Sequence, residues 1–418
     1  MSDQQTQAGA SRGRRAAVGF ILVSVWLDVL SLGVIIPVFA PLIQRFEGGD
    51  AAAAGVYIGL FATVWALAQF FGAPVLGALS DRFGRRPVLL ISLFGLAFDY
   101  LLMAFAPSLG WLFVGRVLSG LTAAGMAVAS AYIADVTPPE KRAATFGLIG
   151  AAWGVGFIVG PAIGGFLGDI NLRLPFVGAA VLTLVGALYG LFVLPESLKP
   201  ENRAPFAWGK ANPVGSLGFL ASHRELLTLS SVNFLLQLAH NVLPTIFVLY
   251  ASNRYGWSLA ATGSALALTG VCNIVVQGLL VKQVVARVGE WGAVLAGLVF
   301  GGLGFAIYGL APTGPLFLVG TPVFALIGLF GPGFQGLVTR RVSASEQGRL
   351  QGANASLAGM AGVIAPTMFG YTYAWFVAAG HPYVPGAAFL LAAGLHALAA
   401  LIAVVVMARA PRPARTAP

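Results

Sequence analysis

The stretch GALSDRFGRRPVLL, residues 77–90, places four charged residues within six positions of a chain that has few charges. These residues are Asp81, Arg82, Arg85 and Arg86. Lys, Arg, Asp and Glu together make up only 9% of the 418 residues. A charge cluster in so apolar a chain indicates a short polar loop between two hydrophobic segments.

The composition decides the class of protein. Hydrophobic residues make up 58% of the chain and the mean hydropathy is +0.86. A soluble domain carries about 25% charged residues, so this chain cannot cover itself with a polar surface. It contains instead many apolar runs of about 20 residues, long enough to cross the hydrocarbon core as helices. The composition predicts an all-α integral membrane protein with the lipid bilayer as its partner, and it excludes a soluble globular protein.

The apolar runs predict twelve transmembrane helices in two sets of six. The first set covers 17–39, 55–79, 88–107, 111–134, 145–168 and 176–195. The second set covers 226–250, 259–282, 291–311, 315–338, 351–376 and 386–408. The predicted domains are an N-terminal tail (1–16), a six-helix bundle (17–195), a central loop (196–225), a second bundle (226–408) and a C-terminal tail (409–418).

The basic residues are distributed very unequally between the two sides of these helices. Twenty of the 24 Lys and Arg residues lie in the tails and loops of one side, which includes residues 77–90. The other side has Arg45, Arg173 and Arg254, and Arg116 lies inside a helix. By the positive-inside rule, both termini are cytoplasmic. The net charge of +10 therefore reflects orientation in the membrane, and we expect no nucleic-acid partner.

The residue types needed for catalysis or metal binding are scarce. Cys272 is the single cysteine, which excludes an internal disulfide and a cysteine metal site. The four histidines lie in separate elements: His223, His240, His381 and His396. The sequence therefore predicts no enzyme activity, no cofactor and no metal site.

The two sets of helices show an internal repeat at an offset of 205 residues. Four residues of the first set recur at that offset: Arg82 as Arg287, Gly84 as Gly289, Gly147 as Gly352, and Pro161 as Pro366. Tandem six-helix halves around a midplane site are typical of secondary transporters that work by alternating access.

Three motifs carry a resemblance to a known family. GALSDRFGRRPVLL resembles the signature loop between helices two and three of the major facilitator superfamily. LFVGRVLSGLTAA (112–124) resembles its helix-four arginine motif, and GLIGAAWGVGFIVGPAIGG (147–165) resembles the helix-five motif of proton-driven antiporters. Residues 25–200 are similar to the bacterial tetracycline/proton antiporters, and QGRLQGANASLAG (347–359) is the best-matching piece of the second half. The resemblance implies a monomeric proton-coupled antiporter of the bacterial inner membrane that exports drug-like or amphiphilic small molecules.

The resemblance gives the charged loop the role of a cytoplasmic gate. The gate residues are Gly77, Asp81, Arg82, Gly84, Arg85, Arg86 and Asp135. Gly77 and Gly84 allow a tight approach and turn, and Asp81 suits the N-terminal end of a facing helix, for which the resemblance points to helix eleven. Arg85 is placed to pair with Asp135. The alternative is that these charges only set topology, which needs neither Asp81 nor the two glycines.

The helix-five motif consists of small residues and a proline: Gly154, Gly156, Gly160, Pro161, Gly164 and Gly165. Gly156, Gly160 and Gly164 are four residues apart on one helical face, which lets a neighbouring helix come close. Plain close packing explains this face, and the resemblance adds the prevention of leak in an antiporter.

Three ionisable residues lie at membrane depth, where each costs several kcal/mol to place. Asp28 lies mid-helix in the first helix, Asp99 in the third, and Arg116 about one turn inside the fourth. Burial favours the neutral form of a carboxylate and a nearby cation favours the charged form, so we expect these aspartates to exchange protons. All three match charged positions of the tetracycline antiporters. The alternative is a structural pairing of each Asp with an Arg.

Uncharged polar residues and His240 predict a substrate cavity. They are Gln69, Asn233, Gln237, His240, Asn241, Asn273 and Gln277. Those of helix seven, from Asn233 to Asn241, follow the spacing of one helical face. Ordinary hydrogen bonds between helices are the alternative, and His240 alone is as well explained by a structural role.

Two positions depart from the tetracycline antiporters. Where these place a histidine in helix eight this chain has Asn273, and where they place an aspartate in helix nine it has Gly301. Tetracycline is therefore not the expected substrate. An uptake symporter or facilitator for a metabolite is the main alternative function. A non-transporting membrane receptor would have no need of Asp28, Asp99 and Arg116.

Overall fold

The computed structural model is helical throughout its regular structure, over residues 2–123, 125–206, 208, 212–215, 217–221, 224–343 and 345–409. Lys210, His223 and the C-terminal tail from residue 410 onward lie outside these described residues.

The first half of the chain forms seven helices. They are α1 (Ser2–Phe46), α2 (Ala51–Phe83), α3 (Arg85–Phe105), α4 (Leu109–Thr122), α5 (Gly125–Val136), α6 (Pro139–Ile170) and α7 (Leu174–Val193). Helix α1 runs past its predicted end at residue 39, through Pro37 and Pro41. Prolines are tolerated in membrane helices because neighbouring groups satisfy the freed carbonyls.

The described residues after α7 form nine further helices and three short turns. The helices are α8 (Leu217–Ala221), α9 (Arg224–His240), α10 (Val242–Tyr255), α11 (Leu259–Val275), α12 (Val281–Leu310), α13 (Gly314–Ala325), α14 (Phe330–Thr339), α15 (Gln347–Val377) and α16 (Ala387–Arg409). The turns are 3₁₀ at Pro200–Asn202 and Leu326–Leu329, and π at Val276–Leu280.

The membrane spans agree with the predicted twelve. Among the described residues, ten helical stretches are long and apolar enough to cross a membrane. One of them, Leu259–Leu310, contains two predicted helices, joined at Gly289, whose φ of 72° interrupts α12. Helix α15 is long enough to cross as well but falls outside the ten, because it is less apolar. The fold class expected from the sequence is confirmed.

Four predicted helices are divided within the described residues, the eighth by the π turn and the tenth by the 3₁₀ turn at Leu326–Leu329. The fourth is divided into α4 and α5 at Ala123, whose ψ of 45° is not helical. The Thr122 hydroxyl donates to the Leu118 carbonyl, a bond that bends helices. The seventh is divided into α9 and α10 at Asn241. Pro244, three residues later, lacks an N–H and clashes with the carbonyl four residues before it.

The chain forms two compact units. Unit 1 comprises Met1–Pro213, Pro244–Gly270 and Pro366–His381, and its main core lies between α1, α3, α5, α6 and α7. Unit 2 comprises Val214–Leu243, Val271–Ala365 and Pro382–Pro418. Its core contains an aromatic cluster on α12, α13 and α16. Phe305, Tyr308, Phe317, Phe324 and Phe389 form this cluster.

Candidate functional site

The turn between α2 and α3 depends on Gly84. Its φ of 108° belongs to a region that side chains rarely adopt. The carboxylate of Glu196 occupies the place where a Cβ would be. That carboxylate accepts the backbone N–H of Arg85 at 2.9 Å and of Arg86 at 3.2 Å. Glu196, which follows α7, therefore caps the N-terminus of α3, where a negative charge is stabilising.

Arg85 is the centre of an ion-pair network on unit 1. Its Nη1 lies 2.6 Å from the Asp81 carboxylate and donates to the Ser80 hydroxyl at 2.7 Å. Its Nε lies 3.2 Å from Asp135, which also accepts the Ser197 hydroxyl at 3.1 Å. The Arg85 side chain is only 11% exposed, against 47% for Asp81. The structure thus makes the Arg85–Asp135 contact expected from the sequence, and its role as a gate stays a prediction.

The other gate residues make different contacts. The Arg86 guanidinium donates to the Leu191 carbonyl at 2.6 Å, and that of Arg82 lies 5.1 Å from the centre of the Phe83 ring. The expectation of a close approach at Gly77 is wrong, because a Cβ there would meet no described atom within 4 Å. Helix α2 continues beyond Gly77 to Phe83, so the turn does not need this glycine.

Asp99 lies on α3 in the interior of unit 1 and is fully buried. Among the described residues, neither of its carboxylate oxygens has a hydrogen-bond partner. Gly115 of α4 makes room for it, since a Cβ at that position would lie 2.5 Å from Oδ1 of Asp99. Asp28, on α1, is half-buried.

Arg116 of α4 is held by aromatic rings. Its guanidinium carbon lies 4.9 Å from the ring centre of Phe39 and 5.3 Å from that of Trp65. Such cation–π contacts contribute about 0.5–2 kcal/mol each. Arg116 acts on Asp99 electrostatically, but within the described residues the two form no ion pair. The expected alternative of a structural ion pair is thus not formed at Asp99. Arg116 also lies about two turns inside α4, because the helix begins at Leu109.

Tyr100 interacts with these charged groups, and sequence reasoning did not identify it. It is 4% exposed and interacts electrostatically with Asp28, Asp99 and Arg116. A tyrosine next to an aspartate in an apolar helix looks like an ordinary core residue, so its position became visible only in the structure.

The glycine face of α6 packs against α1. A Cβ on Gly156 would lie 2.9 Å from the Val29 side chain, and one on Gly160 would lie 2.8 Å from the Cα of Gly33. A Cβ on Gly164 would collide with the Val34 carbonyl. The close approach expected from the sequence is present, and α1 is the partner.

The remaining residues of this motif face a different helix. A Cβ on Gly165 would collide with the Leu259 carbonyl of α11, and one on Gly263 with the Pro161 carbonyl. Helix α6 therefore meets α1 on one face and α11 on another, both within unit 1. Gly154 is half-buried.

The predicted cavity residues fall in both units. Gln69, in unit 1, donates from Nε2 to the Ala123 carbonyl at 3.3 Å and so satisfies a group that the break after α4 exposes. Asn233, Gln237, His240, Asn241, Asn273 and Gln277 belong to unit 2.

Three of the four polar residues predicted on one face, Asn233, Gln237 and His240, keep that spacing within α9, and Asn241 lies just beyond the helix. The helix ends at His240, and Asn241 donates from Nδ2 to the Gln237 carbonyl at 2.8 Å. The ring of His240 is exposed and stacks on Phe324 at 5.8 Å. Asn233 is buried.

Gln277 lies in the π turn between α11 and α12 and is exposed, whereas Asn273 is half-buried near the end of α11. Single π turns are frequent at functional sites. Nothing in the local sequence distinguished this turn from a continuous helix.

The described residues bring together no group of three or more His, Cys, Asp or Glu side chains that could hold a metal ion.

Comparisons with known proteins identify relatives. A family model described as Major Facilitator Superfamily matches residues 21–366. The chain is 38% identical over 357 residues to the tetracycline resistance protein, class C, of Escherichia coli, covering 85% of this chain and 89% of that protein. It is 34% identical to the class H protein of Pasteurella multocida, covering 90% and 93%. The structure of the human organic anion transporter MFSD10 has a TM-score of 0.67 at 23% identity, covering 93% of this chain and 99% of that chain, and this likeness concerns the fold.

Proposed function

Because the chain belongs to the major facilitator superfamily and is therefore a membrane transporter, not an enzyme, we propose that it exports drug-like or amphiphilic small molecules in exchange for protons. The relatives at 34–38% identity are named for resistance to the drug tetracycline, which supports a drug-like substrate class.

The observation that carries the proposal is the environment of Asp99. This carboxylate is buried without a hydrogen-bond partner among the described residues. Its nearest cationic group, Arg116, is held by two aromatic rings. The Ser119 side chain also interacts with this carboxylate. A buried carboxyl group that no cation binds directly is suited to take up a proton. An arginine that is not tied to it can approach when the proton leaves. Asp99, Asp28 and Arg116 are therefore proposed as the proton-coupling residues.

Contacts at the two ends of unit 1 support alternating access. At one end of α2, Arg85 joins Asp81 and Asp135. At the other end, a Cβ on Gly370 of α15 would lie 2.5 Å from the Gly55 carbonyl of α2.

Helix α11 makes the matching contact with α6 at this second end. The carboxylate of Asp169 on α6 accepts the backbone N–H of Leu259 at 2.9 Å and of Ala260 at 3.0 Å. Close packing of this kind is suited to an end that opens and closes.

The proposed topology follows the charge distribution. Both termini and the 196–225 loop lie in the cytoplasm, the two six-helix halves (17–195 and 226–408) cross the bacterial inner membrane, and the transporter works as a monomer. The Arg85 network is then the cytoplasmic gate, and the polar residues singled out in the sequence remain the proposed lining of the substrate cavity.

An uptake symporter or facilitator is the second candidate, and Gly301 is the observation that favours it. A Cβ at Gly301 would lie 2.9 Å from Nε2 of His396. An aspartate cannot occupy this position while His396 keeps its place. The packing of His396 therefore leaves no room at Gly301 for the acidic side chain that the resemblance places there.

A drug-susceptibility screen tests the proposed function. We would express the chain, and its Asp99→Asn variant, in a bacterial strain that lacks its own drug exporters. We expect resistance to at least one class of amphiphilic drug with the unmodified chain. A protonophore should abolish this resistance, and Asp99→Asn should not confer it. Drug accumulation that rises on expression would indicate uptake and would overturn the proposal.

A further inference from the structure

We propose that His396, on α16, binds a proton that separates α16 from α12, so that unit 2 carries a proton switch of its own. The inference rests on the proposed function, because it adds a further proton-binding residue to the same transport cycle.

His396 is fully buried, and its tautomer follows from its contacts. Its Nδ1 lies 3.1 Å from the Ala392 carbonyl, one turn earlier in α16. Because a carbonyl can only accept, Nδ1 carries the hydrogen and Nε2 presents a lone pair. Among the described residues this Nε2 has no hydrogen-bond partner. A buried acceptor without a partner costs about 1–3 kcal/mol, so the bond to Ala392 alone does not account for a histidine at this position.

The Nε2 atom faces a notch in α12 that two glycines form. A Cβ on Gly301 would lie 2.9 Å from Nε2, and one on Gly302 would lie 3.1 Å from the Cβ of His396. The ring of Phe305 meets the imidazole edge-on at 5.2 Å, and the Ile327 side chain also borders Gly301. The notch is thus apolar and closely packed.

A proton on Nε2 changes the energetics of this contact. The imidazolium would carry a positive charge and a second N–H donor into surroundings that offer no anion. An uncompensated charge at membrane depth costs several kcal/mol. The packing of α16 on α12 and the protonation of His396 therefore oppose each other, and a proton favours the state in which the helices have separated and water reaches Nε2.

Two phenylalanine rings separate His396 from a second histidine, His240. Its exposed ring stacks on Phe324 at 5.8 Å, Phe324 lies 4.7 Å from Phe305, and Phe305 borders His396. His240 also acts on His396 electrostatically. The two histidines thus flank one pair of aromatic rings, one histidine exposed and the other buried.

Helices α9 and α12 pack on α16, and their titratable side chains are the ones that could influence His396. The titratable side chains described on them are Glu225, His240, Lys282, Arg287, Glu290 and Tyr308. Within this described set, only His240 acts on His396.

A distance measurement without substrate tests the switch. Spin labels would be attached to cysteines introduced at Val299 on α12 and Leu398 on α16, both exposed, in the full chain with Cys272→Ser, reconstituted in lipid nanodiscs. Between about pH 8 and about pH 4, a range that reaches below that of an ordinary histidine because a buried imidazole takes up a proton less readily, we expect the label distance to increase. The expected increase is about 2 Å or more, the size of helix shifts at switching interfaces. His396→Gln should abolish the increase, and His381→Gln, the matched control, should keep it.

Two results would overturn the switch: a label distance independent of pH in the unsubstituted chain, or a full increase in His396→Gln. If His396→Gln does not fold, the chain with His223, His240 and His381 replaced by Gln leaves His396 as its single histidine. Its nitrogen resonance must then change from the neutral to the imidazolium form over the same pH range, and an unchanged resonance overturns the proposal. None of these measurements needs export, so a pH-dependent distance in a chain that confers no resistance would remove the proposed function and keep the switch.

Discussion

The guanidinium of Arg340 lies 2.8 Å from the carboxylate of Glu290. The positions 205 residues earlier in the chain are Asp135 and Arg85, whose side chains lie 3.2 Å apart. The internal repeat therefore keeps the ion pair and exchanges its charges. The repeat thus preserves an ion pair between two helix ends, whereas the sign of the charge at each position differs between the two halves.

An exchange of charges at the second pair tests this interpretation. We expect Glu290→Arg and Arg340→Glu each to lower the free energy of unfolding by about 0.5–1 kcal/mol, as for a pair with one exposed partner. The double variant should recover at least half of the loss, because it restores the opposite charges. Thermal unfolding of the purified variants measures this. Lys282→Glu, an exposed charge reversal on the same helix, is the control, and a double variant no better than the sum of the single ones would contradict the pairing.

At the first pair, Arg85→Ala and Asp81→Asn should impair transport while the protein still folds and inserts. Arg85 contacts Asp81, Ser80 and Asp135, so its loss removes a network that favours one conformation. We expect a decrease in transport of about tenfold or more, in the range of typical coupling free energies. Drug efflux at matched expression measures it. Arg45→Ala, at an exposed arginine outside this network, should transport normally, and normal rates in both gate variants would contradict the gate.

The sequence predicted the class, the number of spans and the Arg85–Asp135 contact, for one physical reason. Charges are so costly in an apolar chain that most of the few present lie at helix ends or in pairs, and those at membrane depth, Asp28, Asp99 and Arg116, stand out as functional candidates. The glycines of α6 were predictable in the same way, because a face of residues without side chains serves only close approach.

Features that depend on another helix were not predictable. The break after α4 is stabilised by the side chain of Gln69 on α2, and the cap of α3 comes from Glu196, more than 100 residues later in the chain. Gly77 and Gly84 look equivalent in the sequence, and only the length of α2 shows that Gly84 alone makes the turn.

Gly164→Ala should destabilise the protein. A Cβ at this position collides with the Val34 carbonyl of α1, and a backbone atom cannot move aside as a side chain does. We expect a loss of about 1–3 kcal/mol, as for other overpacked interiors. Gly150→Ala is the matched control on the same helix, since a Cβ there meets no described atom within 4 Å. Thermal unfolding of the two variants should separate them, and equal stabilities would show that α1 and α6 are not tightly packed.

Tetracycline should be exported poorly or not at all, and magnesium should not be required for the drugs that are exported. By the resemblance described above, Asn273 and Gly301 take the places of a histidine and an aspartate, and His396 fills the space beside Gly301. The measurement is the minimum inhibitory concentration of tetracycline in an expressing strain, with magnesium present and chelated. Strong, magnesium-dependent tetracycline resistance would contradict this prediction.

Asp28→Asn should abolish proton-driven export and leave drug binding largely intact. Asp28 lies half-buried on α1, and its repeat-related position carries an uncharged residue, Asn233. The amide keeps the shape and hydrogen-bonding capacity of the protonated carboxyl group but cannot release a proton, so the cycle should stop in one protonation state. Everted vesicles with an imposed pH gradient measure uptake of whichever drug the susceptibility screen identifies.

Asp50→Asn is the matched control for Asp28→Asn. Asp50 caps α2 by accepting the N–H of Ala52 at 2.8 Å, and asparagine caps a helix equally well, so this variant should transport at the normal rate. Gradient-driven transport at the normal rate in Asp28→Asn would place the proton site elsewhere, and Asp99, buried and without a partner among the described residues, would then be the carboxylate to test.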